Sequence, residues 1–169
     1  PFMLFLNFFE PHMPYTSQRN SQYDPAEVPL PPTFREGHYN TDNRRLELFR
    51  RAYRETGFGG IDLKDEAGWR RIIANYFGLV SLVDAALGRI LDALEQNGLA
   101  EDTIVVYTSD HGDMMGAHRL LAKCVMNEEA VRVPLLVQIP GVQPRRVADP
   151  VSQIDLVPTL LEAMERPVP

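Results

Sequence analysis

Asp110 and His111, followed at Lys123 by an ammonium group, are the residues of this chain best placed to do chemistry together. The pair closes the apolar, β-branched run Ile104-Val105-Val106-Tyr107-Thr108, which reads as a strand. Both side chains therefore stand at a strand's carboxyl end, where open α/β sheets put their chemistry. Gly112 follows and lets the backbone turn sharply beneath them. Both could reach one ion. A carboxylate suits Ca²⁺, Mg²⁺ or Mn²⁺, whereas an imidazole is commoner on transition metals, so the pair by itself leaves the metal open. A plainer reading stays open too, with Asp110 a turn or cap residue and His111 a bystander. Lys123 sharpens the first reading, because a metal ion and an ammonium both stabilise charge on a transferring anionic group.

Positioning such a group requires a sheet and the helices that cover it. Phe2 to Phe9 reads as a buried strand, and Glu10-Pro11-His12-Met13-Pro14-Tyr15 leaves it as a loop, since each proline removes a donor and restricts its predecessor. From Thr16 to about Tyr39 the chain is polar and proline-rich, which predicts an irregular surface excursion. His38, within it, reads as solvated. A short helix is expected from Asp42 to Arg54, broken by Thr56-Gly57-Phe58-Gly59-Gly60. Between Ala67 and Gln96 the spacing of Trp69, Ile72, Ile73, Tyr76, Phe77, Val80, Val83, Leu87, Ile90, Leu91 and Leu94 predicts one long amphipathic helix. Asn97-Gly98 stops it, and Asp102-Thr103 leads into the strand before Asp110. Val131 to Ile139 reads as another buried strand, closed by Pro140-Gly141. Asp155 to Met164 is expected to be a closing helix with Pro158 in its first turn. The alternation predicts an α/β fold, a mostly parallel sheet with helices on both faces.

With 169 residues, 44% of them hydrophobic and 24% charged, the chain has the composition of about one globular domain. Its net charge of −6 argues against a nucleic-acid partner, which would call for clustered Lys and Arg in excess of acids. The single cysteine, Cys124, forms no internal disulfide and reads as a small buried hydrophobe. Phe2 to Phe9 is too short to span a bilayer and lacks the flanks of a signal peptide, so no membrane segment is expected. A chain that starts inside an apolar run reads as a piece of something longer, and the sequence carries no signal of location.

Four ordered blocks resemble the sulfatase family of the alkaline phosphatase superfamily. The stretch Thr103 to His118, containing Thr108-Ser109-Asp110-His111-Gly112-Asp113, is similar to the family's strand and metal-binding turn. Leu121-Ala122-Lys123 falls where the family has its active-site lysine, and Glu128 to Leu135 resembles the stretch that follows. Phe5 to Tyr15 looks like the family's strand and substrate-histidine loop, and Val151 to Leu160 like its later signature. The helix from Tyr76 to Gly98 also fits. A histidine after the metal aspartate is similar to the iduronate-sulfatase-like and choline-sulfatase-like branches, where others carry asparagine. The resemblance covers most of the chain and leaves 16–66 as its variable part.

The resemblance implies an alkaline-phosphatase-like fold, here incomplete, in which 1–169 is a single partial catalytic domain. It implies that Asp110 and His111 ligate a divalent ion, Ca²⁺ first with Mg²⁺ or Mn²⁺ as alternatives. It implies that Lys123 binds the oxygens of a small sulfate ester and that His12 contacts the ester and helps the leaving oxygen depart. His118 is a substrate-binding candidate, although a turn-holding role outweighs it. Asp113 divides evenly between holding the turn or orienting His111 and touching metal. The family's nucleophile, a formylglycine made from Cys or Ser in Cys/Ser-x-Pro/Ala-x-Arg, has no counterpart, because Cys124 is followed by Val125-Met126-Asn127-Glu128. The paired aspartates that complete the family's metal site are also expected in a missing amino-terminal part of the same domain. Two ligands are few for an ion that takes about six to eight oxygens, so the chain is expected to bind metal weakly and to be inactive alone. The expected activity is sulfate ester hydrolysis by a longer parent. A phosphonate or phosphate ester hydrolase of the same superfamily and a non-catalytic binding module are the alternatives.

Overall fold

In the computed structural model, residues 2–35 and 42–168 are described, so the reading of His38 lies outside the described residues. A long helix, α2 (Glu66–Gln96), organises the core. It opens on Asp65, whose carboxylate accepts the Gly68 N–H at 3.1 Å, and it ends where Asn97 and Gly98 return N–H groups to Ala93 and Glu95. Its buried residues include Trp69, Ile72, Ile73, Leu79 and Val83, whose positions fall on one helical face. Burial stops at Val83; Val80 and Leu91, expected on the same apolar face, are exposed. No described helix is long and apolar enough to cross a membrane.

What covers α2 is loop and helix rather than sheet. Tyr15, Phe34, Leu63, Trp69, Ile72, Leu79 and Leu121 form the main cluster. The proline-rich excursion after Thr16 is irregular as expected, yet it buries Val28 and Phe34 against the helix. Tyr23 shares a 2.7 Å hydrogen bond with Ser81, and Asn75 donates to the Tyr15 carbonyl at 3.1 Å. The first helix, α1 (Arg44–Thr56), starts two residues later than expected because Asn43 takes the cap, accepting from Arg45 and Leu46. Its Arg50 and Tyr53 donate to the carbonyls of His118 and Leu121 at 2.8 and 3.2 Å, which fixes the loop that leads to Lys123.

The chain is α/β, but its sheet differs from expectation. β1 (Val105–Thr108) and β2 (Leu135–Gln138) pair antiparallel, with Val105 opposite Gln138 and Thr108 opposite Leu135. Among the described residues this two-stranded ladder is the whole sheet, where a mostly parallel one was expected. β2 is shorter than the expected strand because Glu128–Val131 winds into a helical turn, α3. It is also exposed rather than buried, with Leu136 at 62%. Phe2 to Phe9 forms no ladder and is exposed, Phe5 at 78%. Strand propensity describes fit to a half-buried pleated surface, and no described strand or helix covers these residues. The closing helix α4 (Leu156–Ala163) follows a 3-10 turn in which Ser152 and Asp155 cap each other reciprocally.

Candidate active site

The turn after β1 is fastened from several sides. Thr108 donates to the Pro134 carbonyl at 2.9 Å, and the Gly112 N–H donates to Ala130 at 2.9 Å, docking the turn on α3. A β-carbon on Gly112 would lie 1.9 Å from the Glu129 carbonyl oxygen, so close backbone approach, not rotational freedom, requires glycine here. Asp110 Oδ1 accepts its neighbour's N–H at 2.9 Å, while Ser109 donates its hydroxyl to the His111 carbonyl at 2.8 Å.

His111 Nδ1 stands 2.8 Å from the Gly112 carbonyl, which can only accept, so Nδ1 carries a proton and Nε2 is the nitrogen turned to Asp110. Nε2 lies 3.4 Å from Asp110 Oδ2. A carboxylate oxygen and an imidazole nitrogen at this spacing are joined either by a proton on Nε2 or by a cation between them, so with Nε2 unprotonated the donor pair fits a divalent ion. Among the described residues no group of three or more His, Cys, Asp and Glu side chains gathers around it. Slight burial pushes the Asp110 carboxyl up, but the His111 N–H and then the imidazole's charge outweigh it and hold it below the usual aspartate value.

His12 stands between two cis prolyl bonds, Glu10-Pro11 and Met13-Pro14. Its Nδ1 donates to the Met13 carbonyl at 2.8 Å, leaving Nε2 to accept from Lys123 Nζ at 2.5 Å. Its ring meets that of His111 edge-on at 6.4 Å. His12, Asp110, His111 and Lys123 are thus brought together. His118 is not: its backbone is left-handed (φ 54°), its Nε2 is 3.8 Å from Glu129, and it does not line the adjoining cleft. Asp113 holds the turn. One of its oxygens accepts from Met115 and Ala122, at 3.1 and 3.0 Å, and the other from the Tyr15 hydroxyl at 2.7 Å. Burial, with the Asp113 charge second, holds Tyr15 well above the usual tyrosine range, raises Tyr53 and pushes Tyr76 up to about 12. Cys124, expected to be buried, is exposed on the cleft wall with φ of 76°.

The cleft, of about 500 Å³, is lined by Asp110, His111 and Lys123 with Arg132, Ser152 and Gln153 among others. Arg132, Ser152 and Gln153 had no role assigned from sequence. Gln153 donates to the carbonyls of Ser109 and Asp110 at 2.5 and 3.3 Å, tying the block before α4 to the ligand turn. Arg132 pairs with Glu128 at 2.8 Å. Arg132 lies in the Glu128 to Leu135 block and Gln153 in the Val151 to Leu160 block, and position in those blocks is the signal the sequence offers for them.

The family model described as Sulfatase matches residues 1–166. A multifunctional alkaline phosphatase superfamily protein, PehA, from Trinickia caryophylli is 31% identical over 175 residues, covering 96% of this chain and 34% of its own length. A choline-sulfatase from Rhizobium meliloti is 30% identical, covering 96% of this chain and 31% of its own. Among solved structures, the phosphonate monoester hydrolase SpPMH from Silicibacter pomeroyi superposes with a TM-score of 0.72 at 30% identity, over 93% of this chain and 31% of that one. The chain spans about a third of the length of these relatives.

Proposed function

The chain belongs to the sulfatase family, and from that premise we propose that it is part of the catalytic domain of a sulfuric ester hydrolase. The observation that supports this reading is the convergence of His12, Lys123 and the Asp110-His111 pair from three separate segments. Asp110 and His111 would hold the divalent ion, Ca²⁺ first and Mg²⁺ or Mn²⁺ as alternatives; such an ion supplies charge stabilisation to a transferring oxyanion. Lys123 presents its ammonium to the sulfate oxygens. His12 is oriented through its Nδ1 bond to Met13; once the Lys123 ammonium turns from Nε2 to the sulfate oxygens, Nε2 is free to take up a proton and deliver it to the leaving oxygen. In this reading the nucleophile and the further carboxylates come from another part of the same domain, since no Cys/Ser-x-Pro/Ala-x-Arg occurs in the sequence. The 169-residue chain alone then leaves sulfate esters intact.

Hydrolysis of a phosphonate or phosphate ester is the second reading, favoured by the likeness to a phosphonate monoester hydrolase. Two polypeptides decide: this chain, and the longer product read in frame upstream of Pro1. Each is assayed with matched aryl sulfate and aryl phosphonate esters, with and without Ca²⁺. Metal-dependent sulfate hydrolysis by the longer product and none by the chain alone is expected. Sulfatase turnover by the chain alone overturns the assignment of the nucleophile elsewhere, and a strong phosphonate preference overturns the substrate class.

A further inference from the structure

Tyr15 and Asp113 take no part in the chemistry above, yet they join the two loops that carry it. Tyr15 belongs to the His12 loop and is 5% exposed. It is fixed to the core independently of Asp113: its carbonyl accepts from Asn75 of α2 at 3.1 Å, and its ring packs on those of Phe58 and Tyr76. From that anchored position its hydroxyl donates to Asp113 Oδ2 at 2.7 Å. The other oxygen of the same carboxylate accepts the N–H of Ala122, the residue before Lys123, at 3.0 Å. Ala122 and Cys124 both carry left-handed backbone (φ 60° and 76°), which L residues disfavour, so a restraint is needed to keep Lys123 where it is. Its flexible four-carbon stem supplies none.

We propose that the Tyr15–Asp113 hydrogen bond is a positioning device that sets the contact between His12 and Lys123. One carboxylate, bonded to both loops, holds their tips in register, and thereby fixes the spacing of two groups that would grip the same oxyanion. The oxyanion rests on the function proposed above; the positioning rests on the hydrogen bonds alone.

The test uses the full chain with ¹⁵N-labelled histidine, in the absence of added anions. In the wild type the His12 Nε2 resonance carries the shift of an acceptor bonded to an ammonium, and Lys123→Met supplies the reference for the broken contact. Tyr15→Phe keeps the ring packing and removes only the hydroxyl. The expected result is a His12 shift moved most of the way to the Lys123→Met value, with the unfolding midpoint followed by Trp69 fluorescence little changed. Asp113→Asn is expected to do the same, and where it fails to fold Tyr15→Phe decides alone. A His12 resonance unmoved in Tyr15→Phe overturns the proposal. Inorganic sulfate is then titrated separately: a wild type that binds none, with the His12 shift still lost in Tyr15→Phe, overturns the oxyanion reading while supporting the positioning.

Discussion

Gly112 leaves no room for a side chain, and it sits between the His111 ligand candidate and the α3 backbone. Gly112→Ala would drive its β-carbon to 1.9 Å from the Glu129 oxygen, so the turn must lift off α3. Overpacking of this kind costs about 3 kcal/mol, read as a lowered urea midpoint with unchanged slope. Gln153 works in the opposite sense, by bonding rather than by space. Gln153→Leu removes the donor to the Ser109 and Asp110 carbonyls. Amide exchange at His111 and Gly112 is expected to speed up several-fold while that of α2 stays unchanged; unchanged exchange in the turn would show that Gln153 does not hold it. The pinned imidazoles complete the residue scale. Both His12 and His111 give Nδ1 to a carbonyl and turn Nε2 toward the site, so one hydrogen bond sets the orientation of each ring.

At the scale of elements, α2 touches its covering loop so closely that helix propensity ceases to decide. Gly78 faces Arg19, where a β-carbon would stand 2.5 Å from the carbonyl oxygen. Alanine is the better helix former by about 1 kcal/mol. Gly78→Ala is nevertheless expected to destabilise, by about 1–2 kcal/mol net, because the loop must be displaced; a raised thermal midpoint would contradict this. The same element shows what sequence could and could not convey. Trp69, Ile72, Ile73, Leu79 and Val83 spell out a helix face because their spacing is local, and Asn97-Gly98 announces its end. That Phe2 to Phe9 joins no ladder among the described residues, and that β1 pairs antiparallel with β2, depends on distant segments, which no local pattern encodes. The site divides the same way. Asp110, His111, His12 and Lys123 were legible as residue types in recognisable blocks. Gln153 and the Tyr15–Asp113 pair were not, because what they bind is backbone or a residue far off in sequence.

At the scale of the whole molecule, three tyrosines among the described residues resist ionisation because of the fold: Tyr15, Tyr53 and Tyr76. An acid whose folded pKa lies above its unfolded value favours folding while it stays protonated. That contribution is fully present below the ordinary tyrosine value near 10 and is lost as pH rises toward and beyond the value of about 12 at Tyr76. Stability is therefore expected to hold up to about pH 10 and to fall steeply above it, with the ring resonances of Tyr15, Tyr53 and Tyr76 moving to tyrosinate positions only as the chain unfolds; tyrosinate at any of these three near pH 10 with the fold intact would sink the prediction. Finally, the contact between His12 and Lys123 joins residues 111 apart in sequence. Closing a loop of that length costs about 4 kcal/mol of chain entropy, whereas α2 is built from neighbours only. A contact between segments so far apart must meet that entropy before it returns anything, so the helix is expected to form ahead of the site. On that expectation the His12–Lys123 contact serves as a marker of completed folding, read as a His12 resonance that reaches its native shift no earlier than the amides of α2 become protected.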